Sequence, residues 1–349
     1  MRYRDTYVKI NLNNIEYNVK TLISKYNNYD YYFGVVKADC YGHGNVVNSI
    51  IKGGCNYLAT AMLEEALKIR KDNEEIPILC LGIIPTEHLN VAYENNITVT
   101  VNSLDYATKL VASKVPVKVH IKLNTGMNRL GIKDKNEFIN TFNLLINNNI
   151  EVEGIYTHIY NADVEQDTIK QLNIYKEFID LIDKSKVKIF HVCASDALVN
   201  YKKMDFVNGC RLGIIMYGFN DNLDLKSTYS LHSKIIQINK LKQGETVGYN
   251  AMYKAQTDEL IGVVPIGYDD GIIRKNTGRY VYINDKKYPI VGNICMDMLF
   301  VKIDESVKLN DEVILLKDNE HIKYTANYLD TIVYEVICTI SKRVPRIYE

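Results

Sequence analysis

Short apolar runs alternate with amphipathic stretches along the first two thirds of the chain. Runs rich in β-branched and aromatic residues predict strands, whereas apolar positions spaced three and four apart, as in residues 63–70, predict helices. Eight strands are predicted, at residues 33–39, 57–62, 76–82, 97–102, 117–124, 152–158, 188–193 and 206–211. Eight strands alternating with helices favour a parallel sheet closed into a (β/α)8 barrel of the TIM type.

The pattern changes after about Asn222, where strands follow one another with few helices between them. Further strands are predicted at residues 230–238, 260–266, 279–283, 288–291, 299–303 and 312–316, with one helix near 326–329. Asn284-Asp285 predicts a hairpin turn, and the extended segment 7–12 could pair with this region. The fold class is therefore α/β plus β: a barrel at residues 10–224 and a mostly antiparallel β domain at 225–349 with 1–9.

Composition and charge narrow the function classes. The 349 residues include 42 Lys or Arg and 42 Asp or Glu, so the net charge is zero. A neutral chain is not expected to have a nucleic-acid partner. The longest apolar run, near residues 76–85, is too short to span a bilayer, and the basic start has no apolar stretch behind it, so neither a membrane partner nor a signal peptide is expected. Seven cysteines without a Cys-x-x-Cys pair indicate reduced thiols and a cytoplasmic protein.

Polar residues at the predicted carboxyl ends of barrel strands are the first candidates for chemistry, because active sites of such barrels lie there. The candidates are Lys37, Arg129, His158, Ser195 and Arg211. Burial at the end of an apolar strand lowers the pKa of a lysine ammonium, and the neutral amine is a usable nucleophile and base. The alternative is a lysine whose ammonium reaches the rim.

The other candidates leave similar alternatives open. Ser195 and residues 213–215 follow strands seven and eight, the usual phosphate corner of such barrels, although Ser195 could be an ordinary helix N-cap. Arg211 keeps its charge and needs a partner or a ligand. His158 is either a core histidine or a second group facing the same ligand. Gly42-His43-Gly44 lacks the third glycine of a dinucleotide fingerprint, and no zinc spacing or Gly-x-Ser-x-Gly elbow occurs.

Seven segments of the chain are distinctive when they are taken together and in order. They are VKADCYGHG (36–44), TGMNRLG (125–131), RLGIIMYG (211–218), VGYNAMY (247–253), GYDDG (267–271), NICMD (293–297) and YEV (334–336). Together they resemble the bacterial alanine racemases, a family of fold-type III pyridoxal-phosphate enzymes, and the first resembles the cofactor-lysine motif of that family. The resemblance runs the length of the chain and implies a (β/α)8 barrel followed by a β domain.

The resemblance also implies roles for individual residues. Lys37 would carry pyridoxal 5'-phosphate, and its phosphate would be held by Tyr41, Ser195, Tyr334 and the backbone N–H groups of Gly213 and Ile214. Arg211 would face the pyridine nitrogen with His158 behind it, and Arg129 would support the cofactor's phenolic oxygen and the substrate carboxylate. Tyr249 and Met296 would reach the site from the other subunit of a head-to-tail homodimer, so the β domain would complete the partner's active site.

By the same resemblance the reaction is interconversion of L-alanine and D-alanine by two bases, which supplies D-alanine for peptidoglycan. Lys37 would serve one face of the α-carbon and Tyr249 the other. A free tyrosine has a pKa near 10. Nearby cations such as Arg211 would therefore have to lower the pKa of Tyr249, and His158 would relay their effect.

Some positions depart from the family pattern. Asn124 stands in place of the usual Asp, and Asp269 replaces a usual Ala. Ala194 and Asp196 flank Ser195 where Asn and a small residue are common. Lys122 matches a position that is carbamylated in some members.

Three alternatives compete with the alanine racemase interpretation. A racemase for serine or a broader set of small amino acids would use the same scaffold. Tyr334 and Met296 would make a tight pocket that favours alanine, although one hydroxyl gives a discrimination of only about tenfold to a few hundredfold. A decarboxylase of related fold would place an acid at the pyridine nitrogen, where Arg211 stands. A non-catalytic pyridoxal-phosphate carrier would resemble the bare barrel and leave the region around Tyr249 unexplained.

Overall fold

A computed structural model of the chain describes residues 4–349, which form two compact units. The barrel unit comprises Glu16–Cys40 and Asn45–Met216. The sheet unit comprises the described residues up to Ile15, Tyr41–Gly44 and Tyr217–Glu349. The sheet unit is therefore discontinuous in sequence, because the barrel unit is inserted between its first strand and the rest.

The described residues contain the following strands and helices. The strands are β1 (Tyr7–Ile10), β2 (Tyr31–Val35), β3 (Tyr57–Thr60), β4 (Ile78–Cys80), β5 (Ile97–Val101), β6 (Val119–Lys122), β7 (Val152–Tyr156), β8 (Ile189–His191), β9 (Gly209–Leu212), β10 (Tyr229–Lys234), β11 (Gln237–Leu241), β12 (Thr246–Val247), β13 (Tyr253–Lys254), β14 (Glu259–Val264), β15 (Tyr280–Ile283), β16 (Lys286–Val291), β17 (Leu299–Ile303), β18 (Glu312–Leu316) and β19 (Arg346–Tyr348). The helices are α1 (Leu12–Lys25), α2 (Lys37–Tyr41), α3 (Val47–Lys52), α4 (Leu63–Arg70), α5 (Leu89–Glu94), α6 (Leu104–Ser113), α7 (Lys135–Asn147), α8 (Glu165–Ile179), α9 (Ser195–Asn200), α10 (Asn319–Leu329) and α11 (Val333–Cys338).

Strands β2 to β9 form a closed, all-parallel barrel in sequence order, which confirms the predicted fold. The predicted helix at 63–70 is α4, with the same bounds. Side-chain caps begin some of the helices: Ser103 accepts from the Tyr106 N–H at the start of α6, and Asp134 accepts from the Glu137 N–H at the start of α7. Strands such as β5 are buried along their whole length, as expected for a parallel sheet covered by helices.

Two barrel strands differ from their predicted bounds in ways that affect the site. The strand predicted at 33–39 was placed too far along the chain, because β2 ends at Val35 and the chain then enters α2. Lys37 therefore lies in the turn after the strand, and not on it. The strand predicted at 206–211 begins only at Gly209 and ends at Leu212, which keeps Arg211 inside β9.

The sheet unit holds one nine-stranded sheet in the order β11-β14-β17-β16-β15-β18-β10-β1-β19, and a separate pair, β12-β13. Its recorded pairings are antiparallel except that of β1 with β19. The predicted pairing of segment 7–12 with this region is confirmed for β1, while Leu12 already begins α1. Asn284 and Asp285 form the predicted hairpin turn, both with positive φ.

Two predictions in the sheet unit were wrong in detail, and four short elements were missed. The strand predicted at 230–238 is two strands, because the chain breaks at Ile235 and Ile236; β10 pairs with β1 and β18, whereas β11 pairs with β14. The helix near 326–329 is the end of the longer α10. Helix α11 and strands β12, β13 and β19 were not predicted, since each is too short to show a period. No helix among the described residues is long and apolar enough to cross a membrane.

Candidate active site

Lys37 begins a single left-handed turn at the carboxyl end of β2. Residues Ala38 to Tyr41 all have φ of 53° or 54°, a conformation that costs L-residues about 1–2 kcal/mol each. The turn is held within the barrel unit by three contacts: the Ala38 N–H donates to Glu65 (2.7 Å), the Cys40 N–H donates to the Val36 carbonyl (3.1 Å), and Lys68 pairs with Asp39 (2.8 Å). These contacts fix the backbone from which the Lys37 side chain extends.

Four cationic side chains of the barrel unit lie close enough to influence one another. Burial, followed by the charges of Arg129, Arg211 and Lys37, lowers the pKa of Lys122 to about 8. Lys122 ends β6, is 6% exposed and lies over the ring of Tyr156 at 5.5 Å. Among residues 4–349, Lys122, Arg129 and Arg211 have no carboxylate within ion-pair distance. Such a cluster is suited to an anionic ligand.

Arg211 is fixed by five hydrogen bonds, none of them to a carboxylate. Nη1 donates to Nδ1 of His191 (2.9 Å) and to the His191 carbonyl (3.3 Å). Nη2 donates to the carbonyl groups of Thr157 and Val192 (both 2.8 Å) and to Nδ1 of His158 (3.2 Å). Arg211 is 3% exposed, and burial lowers the pKa of its guanidinium from an ordinary value near 12.5. It is thus a rigid cationic donor.

His158 lies two residues beyond the end of β7 and is half-buried. Burial, followed by the charges of Arg211, Arg129, Lys122 and Lys37, lowers its pKa to about 3. The imidazole is therefore neutral near pH 7, and its Nδ1 accepts from Arg211. The structure brings His158, Arg211, Arg129 and Lys37 into one electrostatic neighbourhood.

Ser195 and Gly213 meet in the barrel unit after β8 and β9. The Gly213 N–H donates to Oγ of Ser195 across 3.3 Å, and Ser195 begins the short helix α9. Ile214, the next residue, begins a 3₁₀ turn. A hydroxyl and neighbouring backbone N–H groups are the donors that phosphate groups accept from in proteins.

Tyr41 and Tyr334 meet in the sheet unit. Their ring centroids are 5.8 Å apart at an interplanar angle of 54°, and Tyr41 also lies 5.5 Å from the ring of Tyr217. Gly42 follows Tyr41 with φ of +77°, and a Cβ there would collide with the carbonyl oxygen of Ile337 in α11. Glycine at this position therefore lets the Tyr41 segment approach the helix that carries Tyr334.

Tyr249 and Met296 lie on neighbouring loops of the sheet unit. The Asn293 side chain donates to the Tyr249 carbonyl (2.9 Å), and the Asp269 N–H donates to the Met296 carbonyl (3.1 Å). Tyr249 is 70% exposed and Met296 is 52% exposed. Two large exposed side chains on neighbouring loops suggest a surface that another molecule covers.

Asp269, which departs from the family pattern, has a structural partner. Arg343 pairs with Asp269 and also donates to Oδ1 of Asp297 at 2.6 Å. Because Asp297 follows Met296 and Asp269 binds the Met296 backbone, this contact stabilises the loop that carries Met296.

Three buried polar residues of the barrel unit escaped the sequence analysis: His120, His191 and Glu153. They connect to Arg211 through hydrogen bonds. One sequence signal could have found His120, because it precedes Lys122 by two positions in a strand and so shares its face. The sequence carried no such signal for Glu153, because a β-bulge decides to which side of the strand its side chain points.

Comparisons with known proteins agree along the whole chain. Residues 10–221 match the family model for the alanine racemase N-terminal domain, and residues 228–348 match that for the C-terminal domain. The alanine racemase of Geobacillus kaustophilus is 37% identical and that of Halalkalibacterium halodurans 35%, each over 99% of this chain and 95% of the relative. The crystal structure of alanine racemase from Bacillus anthracis with bound L-Ala-P superposes with a TM-score of 0.95 at 33% identity, covering 100% of this chain and 96% of that one. The chain belongs to the alanine racemase family.

Proposed function

We propose that this chain is an alanine racemase that interconverts L- and D-alanine with pyridoxal 5'-phosphate, the cofactor of its family. The single observation that carries the proposal is the environment of Arg211, a buried guanidinium bound by carbonyl groups and imidazoles in the same neighbourhood as Lys37. An arginine at the pyridine nitrogen disfavours protonation of that ring, whereas a carboxylate would promote it. The decarboxylase alternative requires that carboxylate, and Arg211 has none within ion-pair distance in the described residues.

The residues present fit the cofactor. Its phosphate and phenolic oxygen are anionic, and the barrel unit offers Lys122, Arg129 and Arg211 without carboxylate partners in residues 4–349, together with the Ser195 hydroxyl and the Gly213 N–H. Lys37 would hold the cofactor covalently, and Arg211 would face its pyridine nitrogen with His158 behind. Its phosphate would be held by Ser195, Tyr41, Tyr334 and the N–H groups of Gly213 and Ile214. Bound there, it supplies the electron sink that makes the α-proton of an amino acid removable.

Lys37 and Tyr249 are proposed as the two bases. Lys37 would move a proton at one face of the α-carbon and Tyr249 at the other, each acting as acid in the reverse direction. Arg129 would bind the substrate carboxylate, for which its exposed guanidinium is suited. Two groups on opposite faces are what inversion at the α-carbon requires, because one base alone would return the proton to the face it came from.

A head-to-tail homodimer is part of the proposal. In it, residues 225–349 with 1–9 would complete the site formed by the partner's residues 10–224. The exposure of Tyr249 and Met296 supports this assembly, because a catalytic tyrosine that is 70% exposed has to be covered before water is excluded from it. A cytoplasmic location and a supply of D-alanine for peptidoglycan belong to the same proposal; seven cysteines without a Cys-x-x-Cys pair support the location.

Racemisation of each L-amino acid by the purified protein with pyridoxal phosphate tests the proposal, with products resolved by chiral chromatography. Alanine should react fastest and serine about tenfold to a few hundredfold more slowly, since a single hydroxyl gives only weak discrimination. Comparable rates for serine would instead favour the broader racemase.

Matched lysine variants locate the cofactor. Lys37→Ala should abolish racemisation and the visible absorbance of the bound cofactor, whereas Lys52→Ala, at an exposed position of α3, should change neither. Borohydride reduction followed by peptide mapping should place the pyridoxyl group on Lys37. A pyridoxyl group on Lys37 without turnover of any amino acid would favour the carrier alternative.

A further inference from the structure

A chain of hydrogen bonds runs through the barrel interior from Arg211 to Glu153. Nη1 of Arg211 lies 2.9 Å from Nδ1 of His191, and Nε2 of His191 lies 2.9 Å from Nδ1 of His120. Nε2 of His120 lies 3.4 Å from Oε2 of Glu153. None of the four residues is more than 5% exposed. We call these four residues the Arg211–Glu153 chain.

The chemistry of the two ends fixes every proton between them. A guanidinium only donates, so Nδ1 of His191 accepts, and a neutral His191 then carries its proton on Nε2. That proton is donated to Nδ1 of His120, which places the His120 proton on Nε2 and directs it to the carboxylate. Each bond therefore points from the cation to the anion, and the two imidazole dipoles align and reinforce one another.

The neighbouring side chains hold each ring in place. The His191 ring is sandwiched between Phe33 (4.6 Å, 11°) and Tyr156 (4.7 Å, 16°). A Cβ on Gly154 would lie 2.5 Å from the His120 ring, so glycine makes room for it. The rings can therefore neither tilt nor swing away without disturbing the barrel core.

A β-bulge brings the carboxylate into the barrel. The register of β6 and β7 shifts so that Val119 pairs with Val152 and His120 pairs with Gly154, which leaves Glu153 as the extra residue. Bulges re-aim side chains, and here Oε2 of Glu153 also accepts from the hydroxyl groups of Tyr57 (2.7 Å) and Thr98 (3.3 Å). Burial raises the pKa of Glu153, but its hydrogen bonds to His120 and Tyr57 outweigh this and lower the pKa below its ordinary value.

We propose that Glu153 is the counter-ion of Arg211. In this proposal His120 and His191 are positioning residues that couple the two charges. They also hold Nη1 of Arg211, which leaves its Nη2 for His158. The chain gives the buried guanidinium an opposite charge without placing a carboxylate against it. A carboxylate in direct contact would present a negative charge beside the pyridine nitrogen. The consequence for racemisation rests on the proposed function, whereas the coupling itself does not.

The tautomers test the proposal in the unaltered protein. In ¹⁵N NMR of histidine-labelled protein, His120 and His191 should each show a protonated Nε2 and an unprotonated, hydrogen-bonded Nδ1, with assignments from His120→Gln and His191→Gln. A proton on Nδ1 of either residue would reverse the direction of the chain and overturn the proposal, whatever the stability of any variant.

A double-mutant cycle in the apoprotein tests the coupling of the charges. Glu153→Gln and Arg211→Gln should each raise the unfolding equilibrium constant about a hundredfold or more, because each leaves a buried charge unpaired. In the Arg211→Gln background, Glu153→Gln should cost at least about tenfold less, since coupled groups are not additive. Additive effects would overturn the proposal.

Glu259→Gln is the matched control for the cycle. Glu259 is also a buried carboxylate that accepts from a tyrosine, Tyr253, and it lies in the sheet unit next to Lys302. Its substitution should destabilise the protein but combine additively with Arg211→Gln, and it should leave the tautomers of His120 and His191 unchanged.

Kinetics of the holoenzyme give the functional consequence. Glu153→Gln should lower kcat for alanine about tenfold with KM changed less than twofold, because it alters the field at Arg211 and not the substrate contacts. Glu259→Gln should keep kcat. An unchanged kcat in a folded Glu153→Gln enzyme would overturn the functional part of the proposal. Failure of the unaltered enzyme to racemise any amino acid would reject the proposed function but would leave the tautomer and stability results to decide the coupling.

Discussion

Nη2 of Arg211 donates to Nδ1 of His158 across 3.2 Å, so this histidine is an acceptor that can no longer accept this hydrogen bond once Nδ1 is protonated. Its lowered pKa, about 3, follows from burial first and from the surrounding cations second. The pKa values of His120 and His191 are also lowered, mainly by burial. The barrel therefore contains three imidazoles that the fold keeps neutral.

The three neutral histidines predict acid sensitivity. Between the ordinary histidine pKa near 6.5 and the folded-state value of about 3, the unfolded chain binds a proton at position 158 that the folded chain does not. Stability should therefore fall as the pH falls through this window, by up to about 1.4 kcal/mol per pH unit for each such group. Urea unfolding between pH 7 and pH 4 measures this slope. His158→Gln should make it shallower, and an unchanged slope would show that His158 titrates normally.

Tyr249→Phe should affect the two enantiomers unequally. Phenylalanine keeps the ring and removes the ionisable group, and the cofactor should still bind. In the proposed mechanism, by analogy with the family, Lys37 would handle the α-proton of D-alanine and Tyr249 that of L-alanine. Loss of a general base typically costs about 10² to 10⁴ in rate, so exchange of the α-hydrogen with deuterated solvent should slow much more for L-alanine than for D-alanine. Proton NMR measures both rates, and equal losses with normal cofactor content would make Tyr249 only a wall of the pocket.

Mixed dimers should recover activity if the site is shared between subunits. Lys37→Ala and Tyr249→Phe proteins should each be nearly inactive, but a mixed dimer has one site with both bases intact. Under subunit exchange, racemase activity should approach about a quarter of the unaltered level, because half of the dimers are mixed and each has one of two sites restored. Exchange can be followed by mass spectrometry of differently tagged subunits. No recovery after demonstrated exchange would indicate that each site is formed within one chain.

Lys122 should be open to carbamylation. Its pKa of about 8 gives it a substantial neutral fraction near pH 8, and a carbamate would place a negative charge among Lys37, Arg129 and Arg211. Protein equilibrated with ¹³C-bicarbonate should show a carbamate resonance in ¹³C NMR that Lys122→Arg lacks. Lys68→Arg, at an exposed lysine paired with Asp39, should retain the resonance. Absence of the carbamate resonance from the unaltered protein would show that Lys122 is not carbamylated.

The sequence predicted the parts of the site that depend on strand order and missed those that depend on local geometry. Alternating strands and helices were enough to predict the barrel, and with it the placing of Lys37, His158 and Arg211 near the carboxyl ends of barrel strands. The turn at Lys37 was interpreted as strand because its residues, Ala38 to Tyr41, carry no glycine to signal positive φ. The direction of Glu153 depends on a one-residue bulge, which leaves no periodic trace.

The division of the predicted strand at 230–238 has a similar physical origin. Its apolar pattern is continuous through Ile235 and Ile236. However, the N–H of Ile235 donates to the Asp311 carbonyl and that of Ile236 donates to the Val263 carbonyl, so the chain passes from one neighbouring segment of the sheet to another. Partners distant in sequence decide such a change, and a single strand's own pattern cannot reveal them.

The pairing of β1 with β10 and β19 has a consequence for synthesis on the ribosome. Val8 and Ile10 are fully buried in the folded chain, but their partner strands are made only after the whole barrel unit has emerged. At a translation rate of about 5–20 residues per second, β1 waits on the order of ten seconds or more before β10 is available. During that wait its apolar side chains are open to chaperones or to β1 segments of neighbouring nascent chains, and the sheet closes at β1 only once Arg346–Tyr348 has left the exit tunnel.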